Sequence, residues 1–199
     1  MITTLILVLT LQKPYYYNPI IHNFGNVGIG GRIHAELAPF ATKFIDKVSY
    51  NNRNIRDDII SQYKNKKILD LCCGTGISTS TDGIGVDTSF EMLDVAKRNN
   101  KNKDFYFGNA ENYKPTSTID IVTCMFALHE IPPYAQKNII ENAISIANEN
   151  IIIVDISPDY KPSKSMLSGE PYLLDYLSNI RNLTKTFDLE ENIYIKDHV

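Results

Sequence analysis

Cysteine is scarce in this chain, and what there is cannot form a framework. Of three cysteines in 199 residues, Cys72 and Cys73 are immediate neighbours, and neighbouring cysteines rarely bridge each other. That argues against a disulfide-stapled secreted scaffold and for a reducing, cytoplasmic compartment. Excess positive charge is also missing. Lys and Arg number 20 against 23 Asp and Glu, for a net charge of -3 and a pI near 5.8. A protein that tracks phosphates needs a basic face, so nucleic acid is not expected as the main partner. Membrane-length apolar runs are absent as well. The apolar stretch at residues 2–11 falls far short of the roughly 20 residues that span a bilayer. It has neither the basic residues before it nor the small residues after it that a signal peptide requires. It reads as a packed or frayed terminal segment, and stable membrane insertion is not expected. There are no internal repeats and no low-complexity linker.

What is present is ordinary globular composition, 43% hydrophobic and 22% charged, in a length that suits one domain with a real core. Residues 14–31, rich in aromatics, Asn and Gly, read as an ordered loop. Ile33, Leu37, Phe40, Phe44, Ile45 and Val48 then recur at the helical period, with Pro39 expected to bend that helix or mark its start. A short helix is expected over 56–63. Residues 1–63 together read as a cover on a domain formed by 64–199.

From Lys66 the pattern changes. Apolar runs at 68–72, 84–86, 105–107, 119–126 and 151–156 alternate with helical stretches at 89–99, 133–147 and 164–182. Short continuous apolar strands separated by helices predict a doubly wound, mostly parallel sheet covered on both faces. Such sheets bind ligands at the carboxyl ends of their strands. The chemistry should therefore follow each run, and it does. After the first come Gly74-Thr75-Gly76, which suit a tight turn or the approach of a ligand to bare backbone, with Asp70 near the strand end as an acceptor for a ligand cation or its water. After the second comes Asp87, an acid placed as ribose hydroxyls require, followed by Thr88 and Glu91 as a capping box. After the third, Asn109 and Ala110 offer a side-chain amide and a backbone N–H suited to an adenine edge. After the fourth come Phe126, His129 and Glu130, two of them titratable and facing the same rim.

Together these segments resemble the class I S-adenosylmethionine-dependent methyltransferases, especially the type 11 small-molecule group. ILDLCCGTG resembles that family's first motif, GVDTSFEMLDVAK its second, FGNAEN its third and DIVTCMFALHEIP its fourth. The resemblance implies a Rossmann-like sheet and S-adenosylmethionine as methyl donor, with S-adenosylhomocysteine as product. It places Asp70, Cys72, Gly74 and Gly76 by the methionine moiety and Asp87 and Thr88 by the ribose. Met92, Asn109 and Ala110 fall at the adenine, and Phe126 near the sulfonium. Cys72 and Cys73 then read as small apolar residues where strand meets glycine turn. They lack zinc-site spacing, and Cys124 belongs to a buried run, so no metal is expected.

The acceptor implied is a small molecule. His129 and Glu130 are candidates for a general base if the acceptor is a hydroxyl. Tyr17, His22 and Asn23 in the N-terminal loop, with Tyr160, Glu170 and Tyr172 after the fifth run, are candidates to line its pocket. Three departures from the family stand out. The first crossover, GISTSTDGI, leaves room for one helical turn or none. Asn109 stands where the family often has an acid. Residues 187–195 supply a sixth strand, but little remains for the closing antiparallel seventh. The first and last departures suggest the alternative of a non-catalytic, degenerate methyltransferase-like binding module. A nicotinamide oxidoreductase is disfavoured because Gly74-Thr75-Gly76-Ile77-Ser78-Thr79 lacks the third glycine of G-x-G-x-x-G.

Overall fold

Burial of β-branched residues on both faces forms the centre of the fold. In a computed structural model, which describes residues 21–190, five runs pair into one sheet. They are β1 (Ile68–Leu71), β2 (Ile84–Asp87), β3 (Asp104–Phe107), β4 (Ile119–Met125) and β5 (Ala147–Val154). Their order is β3-β2-β1-β4-β5, and every pairing is parallel. Leu69, Leu71, Ile121 and Val122 on the two central strands are all but inaccessible, as strands covered on both faces must be. The chain order reverses between β1 and β4, the place where sheets of this kind open a crevice. The doubly wound parallel fold is therefore present as expected. Among the described residues β5 pairs only with β4, and no closing antiparallel strand follows.

The helices are α1 (Gly28–Ser49), α2 (Ile55–Ile60), α3 (Phe90–Asn99), α4 (Pro133–Ile146), α5 (Lys164–Gly169) and α6 (Leu173–Thr186). Several expectations need correction. The stretch 14–31 is not one loop. A 3-10 turn forms at Ile21–Asn23, and α1 starts at Gly28 and runs through Pro39 without breaking. The helical period of α1 holds, but its large apolar side chains, such as Phe40 and Phe44, are exposed. The inward face is made of small residues instead: Gly31 and Ala35 are buried, and Ala35 packs on Met92 and Val95 of α3. Small side chains let two helix backbones come close, and here that contact outweighs the pull of the larger ones.

Thr88 is not the helix cap. Asp87 Oδ1 accepts from the N–H of Ser89, a local turn that makes Ser89 the cap; its Oγ accepts from Met92 N–H at 3.1 Å. Glu91 turns away to take the N–H of Gly28 at 2.7 Å. The first crossover, 72–83, contains turns and no helix. The helix expected over 164–182 is two, because Glu170 precedes Pro171 and is held out of the helical region at φ -122, ψ 79. Phe187 caps α6 and 188–190 are not strand; the rest of the sixth run lies outside the described residues. No described helix is long and apolar enough to cross a membrane.

Candidate active site

A cavity of about 190 Å³ opens at the carboxyl ends of β1, β2 and β4. Of the residues singled out in the sequence, Cys72, Gly74, Asp87, Thr88, Met92, Asn109, Ala110, Phe126, Glu130 and His22 line it. Asp70, Gly76, His129, Glu170, Asn23, Tyr160 and Tyr172 do not, and Tyr17 lies outside the described residues. A larger groove of about 640 Å³ runs along the outer side of β5 toward α6, away from the glycine turn.

Asp87 stands on the cavity wall with both carboxylate oxygens held by main-chain donors. Its Oδ2 accepts from the N–H of Gly74 at 2.8 Å and its Oδ1 from Ser89 N–H at 2.8 Å. Burial pushes this carboxyl up to about 6, and those backbone donors work against the rise. The two glycines of the turn differ. Gly74 has φ +53 and nothing within 4 Å of where a Cβ would stand, so bare backbone faces open space. Gly76, at φ +76, would set a Cβ 2.5 Å from the ring of Phe105 and serves packing instead.

Asp70 corrects another expectation. It is completely buried and accepts hydroxyl hydrogen bonds from Ser78 (2.9 Å), Thr79 (2.8 Å) and Thr123 (2.8 Å). Burial raises its pKa, and the three hydroxyls oppose that. It locks the helix-free crossover onto β1 and β4 and does not line the cavity.

Two non-glycine residues hold left-handed conformations at adjacent strand ends, Cys72 (φ 59) after β1 and Phe126 (φ 56) after β4. Such backbone costs of order 1 kcal/mol each and clusters at functional sites. The Cys72 thiol is pushed well up by its hydrogen bond to Cys124 and by burial, which makes it an inert lining residue. Phe126 is fixed by Arg56, whose guanidinium lies 4.3 Å from the ring centroid and pairs with Asp46 at 2.9 Å in a buried bridge. Arg56 was not flagged by sequence, since a lone Arg near a helix start reads as surface.

At the third strand end, Asn109 turns inward on its own loop: Oδ1 accepts from Glu111 N–H at 2.9 Å and Nδ2 donates to Glu111 Oε1. Its amide is therefore partly engaged before any ligand arrives. The loop is pinned by Asn142, a buried polar residue of α4 that donates to the carbonyls of Ala110 (2.9 Å) and Tyr113 (3.0 Å). Gln136 likewise donates to Leu128 and Ile131 carbonyls beneath Phe126. Both were missed; a polar residue on the apolar face of a helix was the available signal.

The titratable groups meet at Glu130. His129 does not line the cavity, though its Nε2 lies 3.9 Å from Glu130 Oε1. Its Nδ1 sits 2.5 Å from Asp155 Oδ1 and its ring meets Tyr176 edge-on. Burial alone would lower its pKa, but Asp155 prevails and raises it to about 9. Glu130 does reach the cavity, bound to His22 Nε2 at 2.7 Å, and His22 Nδ1 meets Glu170 Oε1 at 2.9 Å. Against burial, the two carboxylates lift His22 to about 11. Burial would raise Glu130, but His22 takes it down to about 2. His34, also on the cavity, was missed. Its Nδ1 lies 3.1 Å from the Gly25 carbonyl, which can only accept, so the free Nε2 is an acceptor in the neutral ring. Burial and the neighbouring His22 lower its pKa.

With this geometry established, the comparisons fall into place. Residues 68–150 match the family model described as a methyltransferase domain. The demethylmenaquinone methyltransferase of Geobacillus sp. (strain WCH70) is 36% identical over 86 residues, covering 36% of this chain and 37% of that protein. The match thus spans little more than a third of that relative's length. Among solved structures, a TehB-like SAM-dependent methyltransferase from Corynebacterium glutamicum aligns with a TM-score of 0.51 at 16% identity, over 70% of this chain and 83% of that one. The DhpI–SAH complex aligns with a TM-score of 0.50 at 20% identity, over 63% and 65%. The fold is the one these two solved structures share, and residues 68–150 are similar to a methyltransferase domain.

Proposed function

We propose that this protein transfers a methyl group from S-adenosylmethionine to a small-molecule acceptor. One observation carries the reading: Gly74, Asp87, Asn109 with Ala110, and Phe126, drawn from the ends of four successive strands, line a single cavity. The residues fit an adenosyl sulfonium. The open space in front of Gly74 admits a ligand against the main chain, and Asp87 presents a carboxylate already oriented by two backbone donors. Phe126 lines the wall beside Arg56. When bound, the donor supplies an electrophilic methyl on sulfur, and displacement there needs no covalent enzyme intermediate. The chain's own work is to orient, to exclude water and to handle the acceptor's proton. Residues 21–63 cover the strand ends, with Ile21, His34 and Arg56 on the cavity wall.

For a hydroxyl acceptor, His34 and Glu130 replace His129 as the groups in reach of its proton. A small acceptor is supported by the Geobacillus relative, which is named for a small-molecule acceptor, demethylmenaquinone. The helix-free first crossover favours the second reading, a binding module without turnover. Calorimetry with S-adenosylmethionine and S-adenosylhomocysteine, followed by a labelled-methyl screen over metabolite extracts, decides. Binding with label transfer supports the enzyme, and absence of binding at about 1 mM favours the degenerate module.

A further inference from the structure

Three side chains from three separate segments meet at one edge of the cavity. His22 comes from the 3-10 turn before α1, Glu130 from the turn after β4 and Glu170 from the break between α5 and α6. One ligand atom from each lies within 4.8 Å of the others. This is not a solvated acidic patch. The Glu170 side chain is only 7% exposed, and its Oε2 is buried with no hydrogen-bond partner, while His22 and Glu130 face the cavity. The approach is built into the backbone. A Cβ on Gly169 would come within 3.0 Å of Asn23 Nδ2 and 3.4 Å of the His22 Cα. The absence of a side chain there lets the end of α5 close onto the turn and carries Glu170 to His22.

A buried carboxylate oxygen with no donor carries its full desolvation cost, more so when charged. Something positive should complete it. With both imidazole nitrogens turned to carboxylates, His22 supplies at most one positive charge against two negative ones. A divalent cation would supply both charges, displace one imidazolium proton of His22 to solvent, bind the lone pair so freed and use the spare oxygen of Glu170. We propose that His22, Glu130 and Glu170 bind a divalent first-row transition-metal cation at the wall of the cavity. One imidazole and two carboxylates suit Mn²⁺ or Zn²⁺, whereas Mg²⁺ and Ca²⁺ prefer an all-oxygen set. Three protein ligands leave coordination positions open, and those positions face the cavity, because two of the three ligands line it. An oxygen-bearing small molecule in the cavity can reach them. The site runs against the expectation of no metal. It does not depend on methyl transfer.

The test is titration of the full chain with Mn²⁺, followed by the electron paramagnetic resonance of the free ion, since Mn²⁺ has little affinity for the thiols that would confuse a zinc titration. Saturable binding of one ion is expected, weakened at least ~10-fold in Glu170→Gln and His22→Gln. Thermal melts establish that each variant is folded. If the folded wild-type chain does not saturate at about 1 mM Mn²⁺ or Zn²⁺, the proposal is overturned whatever the variants do. Binding that survives unchanged in both folded variants overturns it too, since the ion then sits elsewhere.

Discussion

The main-chain N–H of Gly74 donates to Oδ2 of Asp87 at 2.8 Å, so the turn after β1 and the end of β2 share one carboxylate. The other oxygen is held by Ser89, which in turn caps α3. Asp87 thus ties two strand ends together, and on the proposed function it is also the group that meets the ribose. Each oxygen keeps a second lone pair for a hydroxyl in the cavity. Asp87→Ala should therefore do two things at once. Affinity for S-adenosylhomocysteine by calorimetry should fall ~100-fold, from losing hydrogen bonds to a charged group worth about 1.5–3 kcal/mol each. The melting temperature should fall as well, because two N–H groups lose their acceptor. Wild-type affinity in a folded Asp87→Ala would remove the ribose role altogether.

The same carboxylate sets a pH dependence. Burial raises its pKa from 3.8 to about 6, so between those values the folded protein binds a proton that the unfolded chain has lost. The sign follows: Asp87's contribution to stability is fully present below pH 3.8 and is lost as pH rises through about 6. Binding runs the other way, since ribose hydroxyls donate to the ionised form. Denaturant melts of wild type and Asp87→Asn between pH 4 and 7 should show their stability difference shifting against the wild type by about 2–3 kcal/mol. Over the same range the wild-type affinity for S-adenosylhomocysteine should rise. A stability difference that stays flat with pH would mean the carboxyl titrates at its ordinary value.

Gly74 and Gly76 separate function from packing within one turn. Gly74→Ala adds a methyl where no atom lies within 4 Å, so its stability cost should be the left-handed strain alone, about 1–2 kcal/mol. The methyl projects into the space a ligand would use, and affinity should drop further than stability. Gly76→Ala drives a methyl into the Phe105 ring and should cost about 3 kcal/mol or more of stability from overpacking plus strain. Paired melts and calorimetry check the contrast; equal losses of affinity per unit of lost stability would refute it.

The strands and the switch point were legible in the sequence because short apolar runs and their glycine-rich ends obey local rules. So was the convergence of Gly74, Asp87, Asn109 and Phe126, since a parallel sheet puts all its strand ends on one rim. What local rules do not carry is which partner a polar group finds. Asp70 looked like a ligand acceptor, yet three hydroxyls from 53 or fewer residues away satisfy it. Ser89 displaced Thr88 as the cap because Asp87 bonds its N–H. The face of α1 was misjudged for the same reason: Ala35 finds Met92 and Val95, a tertiary contact that hydrophobic period alone does not encode. His34, Arg56 and Asn142 matter only through loops brought together by the fold.

His129 was expected at the chemistry, and its surroundings argue for support instead. The ring does not border the cavity; its Nδ1 holds Asp155, which is itself 3% exposed at the side chain and accepts from Ile156 N–H. Breaking a buried pair of this kind leaves an uncompensated charge and costs about 3–5 kcal/mol. His129→Gln should therefore lower the melting temperature strongly and leave S-adenosylhomocysteine affinity in the remaining folded protein unchanged. Once an acceptor is in hand, kcat per folded molecule should also hold, whereas His34→Gln should reduce it for a hydroxyl acceptor at unchanged stability. A ~100-fold fall in kcat for His129→Gln, with its melting temperature intact, would return the general base to His129 and remove it from His34.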